Sequence, residues 1–207
     1  MSALLTAVAL SDLFAVYAGV RFSMLLDEDD GFAFALQQEL DDADALYRMA
    51  GQFQGTTYLV CGIVFIVWFH SVRRVAGVLG PDRFRSGPGW AIGAWFIPLA
   101  NFWMPYRIAV NIWGASTRLP ADGEPYKVSM WPVNLWWGLF ATTTLFSWYV
   151  GRRYENAEAL DEIRDAVLQV MVADALDVAA AAAALYFAVR LTAMQRLKAS
   201  EPPYSTA

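Results

Sequence analysis

The chain has 207 residues, 57% hydrophobic and 17% charged, where a soluble domain carries roughly 45–50% and about 25%. That balance excludes an ordinary water-soluble core, and a net charge of −5 without a basic stripe excludes nucleic acid as the expected partner. With Cys61 as its only cysteine, the chain builds neither an internal disulfide framework nor a thiolate zinc site.

In chain order, Ala3 to Leu26 is the first stretch long and apolar enough to cross a bilayer. Met1-Ser2-Ala3 lacks a basic n-region, so the stretch reads as a retained anchor rather than a cleaved signal. Asp27 to Asp44 is acid-rich, and Phe32, Leu36, Leu40 and Tyr47 recur there at near-helical spacing, which predicts a surface helix leading into the next span. Asp27-Glu28-Asp29-Asp30-Gly31 lacks the alternating ligands and closing Glu of a calcium loop and reads as a solvated acidic face. Gln54 to Val72 is the second span. It runs into His70, Arg73, Arg74, Arg83 and Arg85, and Gly87-Pro88-Gly89 marks a turn.

Trp90 to Trp113 is apolar but interrupted, because Pro98 and Pro105 would each remove a backbone hydrogen bond from a straight helix. Trp131 to Val150 is the third full span, a mixed loop from Tyr154 to Asp165 follows, and Ala166 to Leu191 is the fourth. Residues 1–200 read as one membrane-embedded domain and Glu201 to Ala207 as a disordered tail. The expected fold is all-α: a polytopic membrane helical bundle with four transmembrane helices plus an interrupted re-entrant or interfacial helix.

Arginines retained on the cytoplasmic side set the topology. Arg73, Arg74, Arg83 and Arg85 follow the second span, and Arg196 and Lys198 follow the last, so both termini are expected in the cytoplasm of a bacterial inner membrane. Arg152 and Arg153 run against that assignment. Trp68, Trp113, Trp131 and Trp148 fall near span ends, as an interfacial belt requires.

Three stretches carry a family resemblance: Trp68-Phe-His-Ser-Val-Arg-Arg-Val-Ala-Gly-Val-Leu, the run from Gly89 to Ser116, and Arg190-Leu-Thr-Ala-Met-Gln. They resemble a bacterial, mostly actinobacterial, membrane family known as domain of unknown function 4328. The resemblance implies several membrane helices and no particular activity. Asn111 stands where the family usually has an acid, which removes any charge-based role from that position.

Ionisable groups inside a span cost about 2.5–3.5 kcal/mol each and are therefore functional candidates. Counted from Ala3 and Arg190 at about 1.5 Å per residue, Arg21 lies at about 27 Å and Asp174 at about 24 Å, which predicts an ion pair between them. Asp12 and Asp177 come out at about 14 Å and about 20 Å with no cationic partner. Asp174 and Asp177 share a helix face. A neutral carboxylic acid there donates a hydrogen bond, shuttles a proton or serves as a general acid. The bland reading has these carboxylates bonded to Thr142, Thr143, Thr144 or backbone carbonyls, with Ala175, Ala179, Ala183, Gly51 and Gly55 letting helices approach closely. A second candidate region joins Asn101, Arg107 and Asn111 in the interrupted segment, where freed carbonyls frame ligand sites and Arg107 suits a phosphate or carboxylate headgroup.

His70 has no companions at metal-ligand spacing, and no nucleophile elbow, phosphate loop or dinucleotide fingerprint occurs, so no cofactor or metal is expected. Three readings follow. One is binding or transport of an amphiphile or ion through Asp12, Asp174, Asp177, Asn101, Arg107 and Asn111. Another is an enzyme using protonated Asp174 or Asp177 as general acid on a lipid-like or isoprenoid substrate, in a pocket lined by Trp95, Trp136 and Trp137. The last is a structural subunit that pairs with a partner membrane protein or with a second copy. The lipid bilayer is the partner common to all three.

Overall fold

The computed structural model describes residues 2–25, 37–117, 129–156 and 159–200. Every regular element among them is helical: α1 (Ser2–Leu25), α2 (Gln37–Leu79), α3 (Trp90–Gly93), α4 (Met104–Ser116), α5 (Trp131–Glu155) and α6 (Leu160–Ala199), with 3₁₀ turns at Pro81–Arg83 and Ala100–Phe102. Among the described residues, three stretches are long and apolar enough to cross a membrane: Ala3–Leu25, Gln37–Leu79 and Glu162–Ala199. The expected third span, α5, is one unbroken helix of 25 residues. It does not join those three, because Asn134, Thr142, Thr143, Thr144, Ser147 and its tryptophans dilute its hydropathy.

Two helices overrun the apolar stretches that announced them. α2 has 43 residues and α6 has 40. The acidic approach to the second span is helical from Gln37 onward, supported by i,i+4 contacts: Gln37 Nε2 donates to Asp41 at 3.2 Å, and Arg48 pairs with Asp44. At the start of α6, Glu162 reaches back to the Ala159 N–H, half of a capping box. The expectations placed on Asp27 to Gly31, Phe32, Leu36 and the tail lie outside the described residues.

The interrupted segment breaks at one proline, not two. α3 is a single turn, a series of turns carries the chain past Pro98, and Leu99 takes φ 64°, a left-handed conformation that side chains with a Cβ rarely adopt. Pro105 opens α4, where its missing N–H has no helical partner to lose.

The chain divides into two compact units. The described parts of Met1–Ser2, Gly62–Trp137 and Ala183–Ala207 form one, and those of Ala3–Cys61 and Gly138–Ala182 form the other. The first is built on aromatic side chains. Trp136 stacks on Phe187 with centroids 4.5 Å apart and planes 3° apart, and meets Trp137 edge to face at 5.6 Å. Phe65, Phe69 and Trp95 close on them, and Trp113 stacks on Phe187 from another side. We call it the tryptophan-rich unit.

The second, the carboxylate unit, is built on small residues. α1 buries Leu5, Val8, Ser11, Asp12, Ala15, Ala18 and Phe22, a stripe at steps of three and four that lies along one helix face. Ala15 and Ala18 meet Ala50 of α2, and Phe22 packs with Ala43 and Val167. Gly19 lies so close to α6 that an added Cβ would sit 2.7 Å from the Met171 side chain.

Candidate functional site

Within the carboxylate unit the buried stripe of α1 contains one charged group. Asp12 is 0% exposed and Asp174 of α6 is 5% exposed. Both point at the same side chain of α2: Gln54 Nε2 donates one hydrogen to Asp12 Oδ1 and the other to Asp174 Oδ1, each at 2.8 Å. Tyr58, four residues on and so on the same face of α2, meets Asp12 Oδ2 through its hydroxyl at 3.3 Å. Asp177, three residues beyond Asp174, is faced by the hydroxyls of Thr143 and Ser147 on α5 and by Tyr58. The Thr143 hydroxyl also donates to the Phe140 carbonyl, and Ser147 Oγ stops short of hydrogen-bond geometry with any group.

The arrangement brings three carboxylates from two helices onto one amide and a set of hydroxyls. Among the described residues no Lys or Arg forms an ion pair with any of the three. Nor do any three His, Cys, Asp or Glu side chains, among the described residues, converge as metal ligands do.

Of the residues singled out in the sequence, Asp12, Asp174 and Asp177 come together, while Asn101, Arg107 and Asn111 belong to the tryptophan-rich unit. Asn101 Oδ1 is buried without a hydrogen-bond partner, Arg107 is exposed and Asn111 half-buried. The pair expected between Arg21 and Asp174 does not form: Arg21 is exposed and Asp174 takes its bond from Gln54. Arg21 is nine residues from Asp12, about two and a half helical turns, so it leaves α1 on the opposite face. Trp95, Trp136 and Trp137 pack on one another and on their aromatic neighbours in the tryptophan-rich unit, while Asp174 and Asp177 belong to the carboxylate unit. His70 Nδ1–H donates to the Pro88 carbonyl at 3.1 Å, which ties α2 to the turn before α3.

Gln54 and Tyr58 are the members that the sequence reading passed over. The signal was faint: both are polar groups at the head of the second apolar run, four apart and so on one helix face, but they sit among Gln52, Thr56 and Thr57.

A family model described as Domain of unknown function (DUF4328) matches residues 34–193. That stretch contains Gln54, Tyr58, Thr143, Asp174 and Asp177 and leaves Asp12 outside. No curated protein and no solved structure matches the chain.

Proposed function

This chain belongs to the DUF4328 family, and from that premise we propose that it is a multi-pass protein of a bacterial inner membrane in which Asp12, Asp174 and Asp177 bind a cationic amphiphile or ion. The observation that carries the reading is the sharing of one Gln54 amide by two buried carboxylates that, among the described residues, form no ion pair with a Lys or Arg. An isolated charge removed from water is unfavourable by far more than a paired one, so the trio is neutralised by protons or by a cation that replaces them. Cation binding and proton release are then one equilibrium.

The test uses the full chain in neutral detergent and weak buffer, with tetraphenylphosphonium as the probe. Saturable binding accompanied by proton release is expected. Asp12→Asn/Asp174→Asn is expected to lose both by at least about tenfold, because the uncompensated charge is gone. No saturable binding to the natural sequence, or binding unchanged in a variant with intact helicity, overturns the site.

One observation favours the structural reading: both oxygens of Asp12 and one of Asp174 already have partners within the protein. On that reading the double variant melts lower and neither form binds the probe. The general-acid enzyme gains no support from the packing of Trp95, Trp136 and Trp137 on one another.

A further inference from the structure

We propose that the end of the tryptophan-rich unit where α2, α4 and α6 terminate is a docking surface for anionic phospholipid headgroups, read by Arg74, Arg85 and Arg196. Three sets of contacts gather these helix ends. Gln195 Nε2 on α6 donates to the Val72 carbonyl of α2 at 2.9 Å and to Ser116 Oγ of α4 at 3.2 Å. Lys198 Nζ donates to the Ala115 and Thr117 carbonyls at 2.8 and 2.9 Å. Gly80, just past α2, approaches Ala115 so closely that an added Cβ would lie 3.3 Å from the Ala115 Cβ.

The basic residues at this end divide by task. Arg73 is buried, stacks its guanidinium 3.5 Å from the Phe84 ring centroid and donates to the Ser86 carbonyl at 2.8 Å. Arg83 is exposed, but its guanidinium lies against the backbone of Gly114, and Lys198 covers the Ala115 and Thr117 carbonyls at the end of α4. These three hold the fold. Arg74 and Arg196 each follow an inward-facing anchor, Arg73 and Gln195, by one residue, and both are exposed. Arg85 adjoins the serine that Arg73 holds and is exposed as well.

The sign of the field follows from magnitudes. Among the described residues, three helix C-termini contribute about half a negative charge each, and Asp82 adds one more. Six basic side chains outweigh that sum even before solvent is considered.

Aliphatic and aromatic groups beside the arginines select a lipid surface over a soluble anion. Val78 is 83% exposed, and Val75 and Leu197 also stand out from the same helix ends. Protruding aliphatics add nothing to a dissolved phosphate, but they enter the boundary between headgroups and acyl chains. The bond from His70, one turn before Arg74 on α2, to Pro88 ties down the turn that leads into exposed Trp90, an aromatic of the kind that anchors at a membrane interface.

This inference rests on the membrane reading and is independent of the carboxylate site. The full chain, purified in neutral detergent, is offered equimolar phosphatidylglycerol and phosphatidylcholine with identical acyl chains, and bound lipid is counted by native mass spectrometry. A strong preference for phosphatidylglycerol is expected, falling roughly fivefold for each arginine removed. The variant Arg74→Gln/Arg85→Gln/Arg196→Gln should therefore approach parity, while Arg74→Lys/Arg85→Lys/Arg196→Lys and Arg152→Gln/Arg153→Gln keep the preference. Parity in the natural sequence, or a preference that survives the glutamine variant, overturns the proposal, and tetraphenylphosphonium binding is unchanged in either case.

Discussion

The two compact units draw on the same long helices, α2, α5 and α6, yet they are cemented by opposite chemistry. In the tryptophan-rich unit large rings interlock, and Arg73, its only buried charged group among the described residues, lies over a ring. In the carboxylate unit the contact faces of α1 and α6 are lined by alanines such as Ala15, Ala18 and Ala173. Alanine brings helices close but fixes their register weakly, because it offers few contact atoms and no distinctive shape. The shared amide of Gln54 supplies the missing directionality. Charge divides in the same way. Among the described residues the tryptophan-rich unit sets Arg73, Arg74, Arg83, Arg85, Arg107, Arg190, Arg196 and Lys198 against Asp82, whereas in the carboxylate unit acids outnumber arginines about two to one. Large side chains make specific packing without polar help, and small ones need it.

The strongest way to break this contrast is to hollow the aromatic core. Trp136→Ala removes the ring that stacks on Phe187 and touches Phe65, Phe69 and Trp137. It should destabilise the protein by about 3–5 kcal/mol, measured by denaturant titration in mixed micelles. Gln54→Leu tests the other unit. It keeps similar bulk but strips two carboxylates of their shared donor, so a loss of about 2 kcal/mol is expected from two bonds of about 1 kcal/mol each, within the range for polar contacts between membrane helices. Combining Gln54→Leu with Asp12→Asn/Asp174→Asn should recover part of that loss, since the orphaned charges go with the donor. A triple variant as unstable as the sum of its parts would mean that Gln54 acts by shape alone.

Of the four long helices, α1, α2 and α6 were legible because each contains an apolar run of membrane length, a signal that survives any packing, and α5 because its unbroken stretch of mostly apolar and aromatic residues has no proline after its first turn. Their true ends were not. The polar flanks of α2 and α6 continue the helix through local contacts such as Arg48 with Asp44, which hydropathy does not weigh. The same omission misplaced the depths. Taking Ala3 and Arg190 as level paired Arg21 with Asp174, whereas α6 runs on to Ala199 and the Gln54 bridge sets Asp12 beside Asp174. The carboxylates themselves stood out as lone charges in apolar runs. Gln54 and Tyr58 did not, because neutral polar side chains are common at span ends and reveal their role only when three helices converge. At Pro105 the sequence rule was sound but its setting was hidden: a proline breaks a helix that precedes it and begins one that follows.

The smallest expected effect concerns how a short helix is finished. α4 ends at Ser116 and its last turn leaves carbonyls without helical partners. Two of the carbonyls at that end, those of Ala115 and Thr117, are met by Lys198 Nζ from α6, a cation placed at the negative end of a helix dipole. Lys198→Met keeps the stem and removes the charge, so it should lower stability by about 1 kcal/mol. Lys198→Arg, still cationic, should lose less than half of that. Because α4 follows the broken segment that begins at Trp90, hydrogen exchange gives the sharper readout: amides from 112 to 117 should exchange faster in Lys198→Met while those of α1 stay unchanged. Equal acceleration in α1 would show that Lys198 supports the whole bundle rather than the end of α4, and would erase the division of labour between the two units at this position.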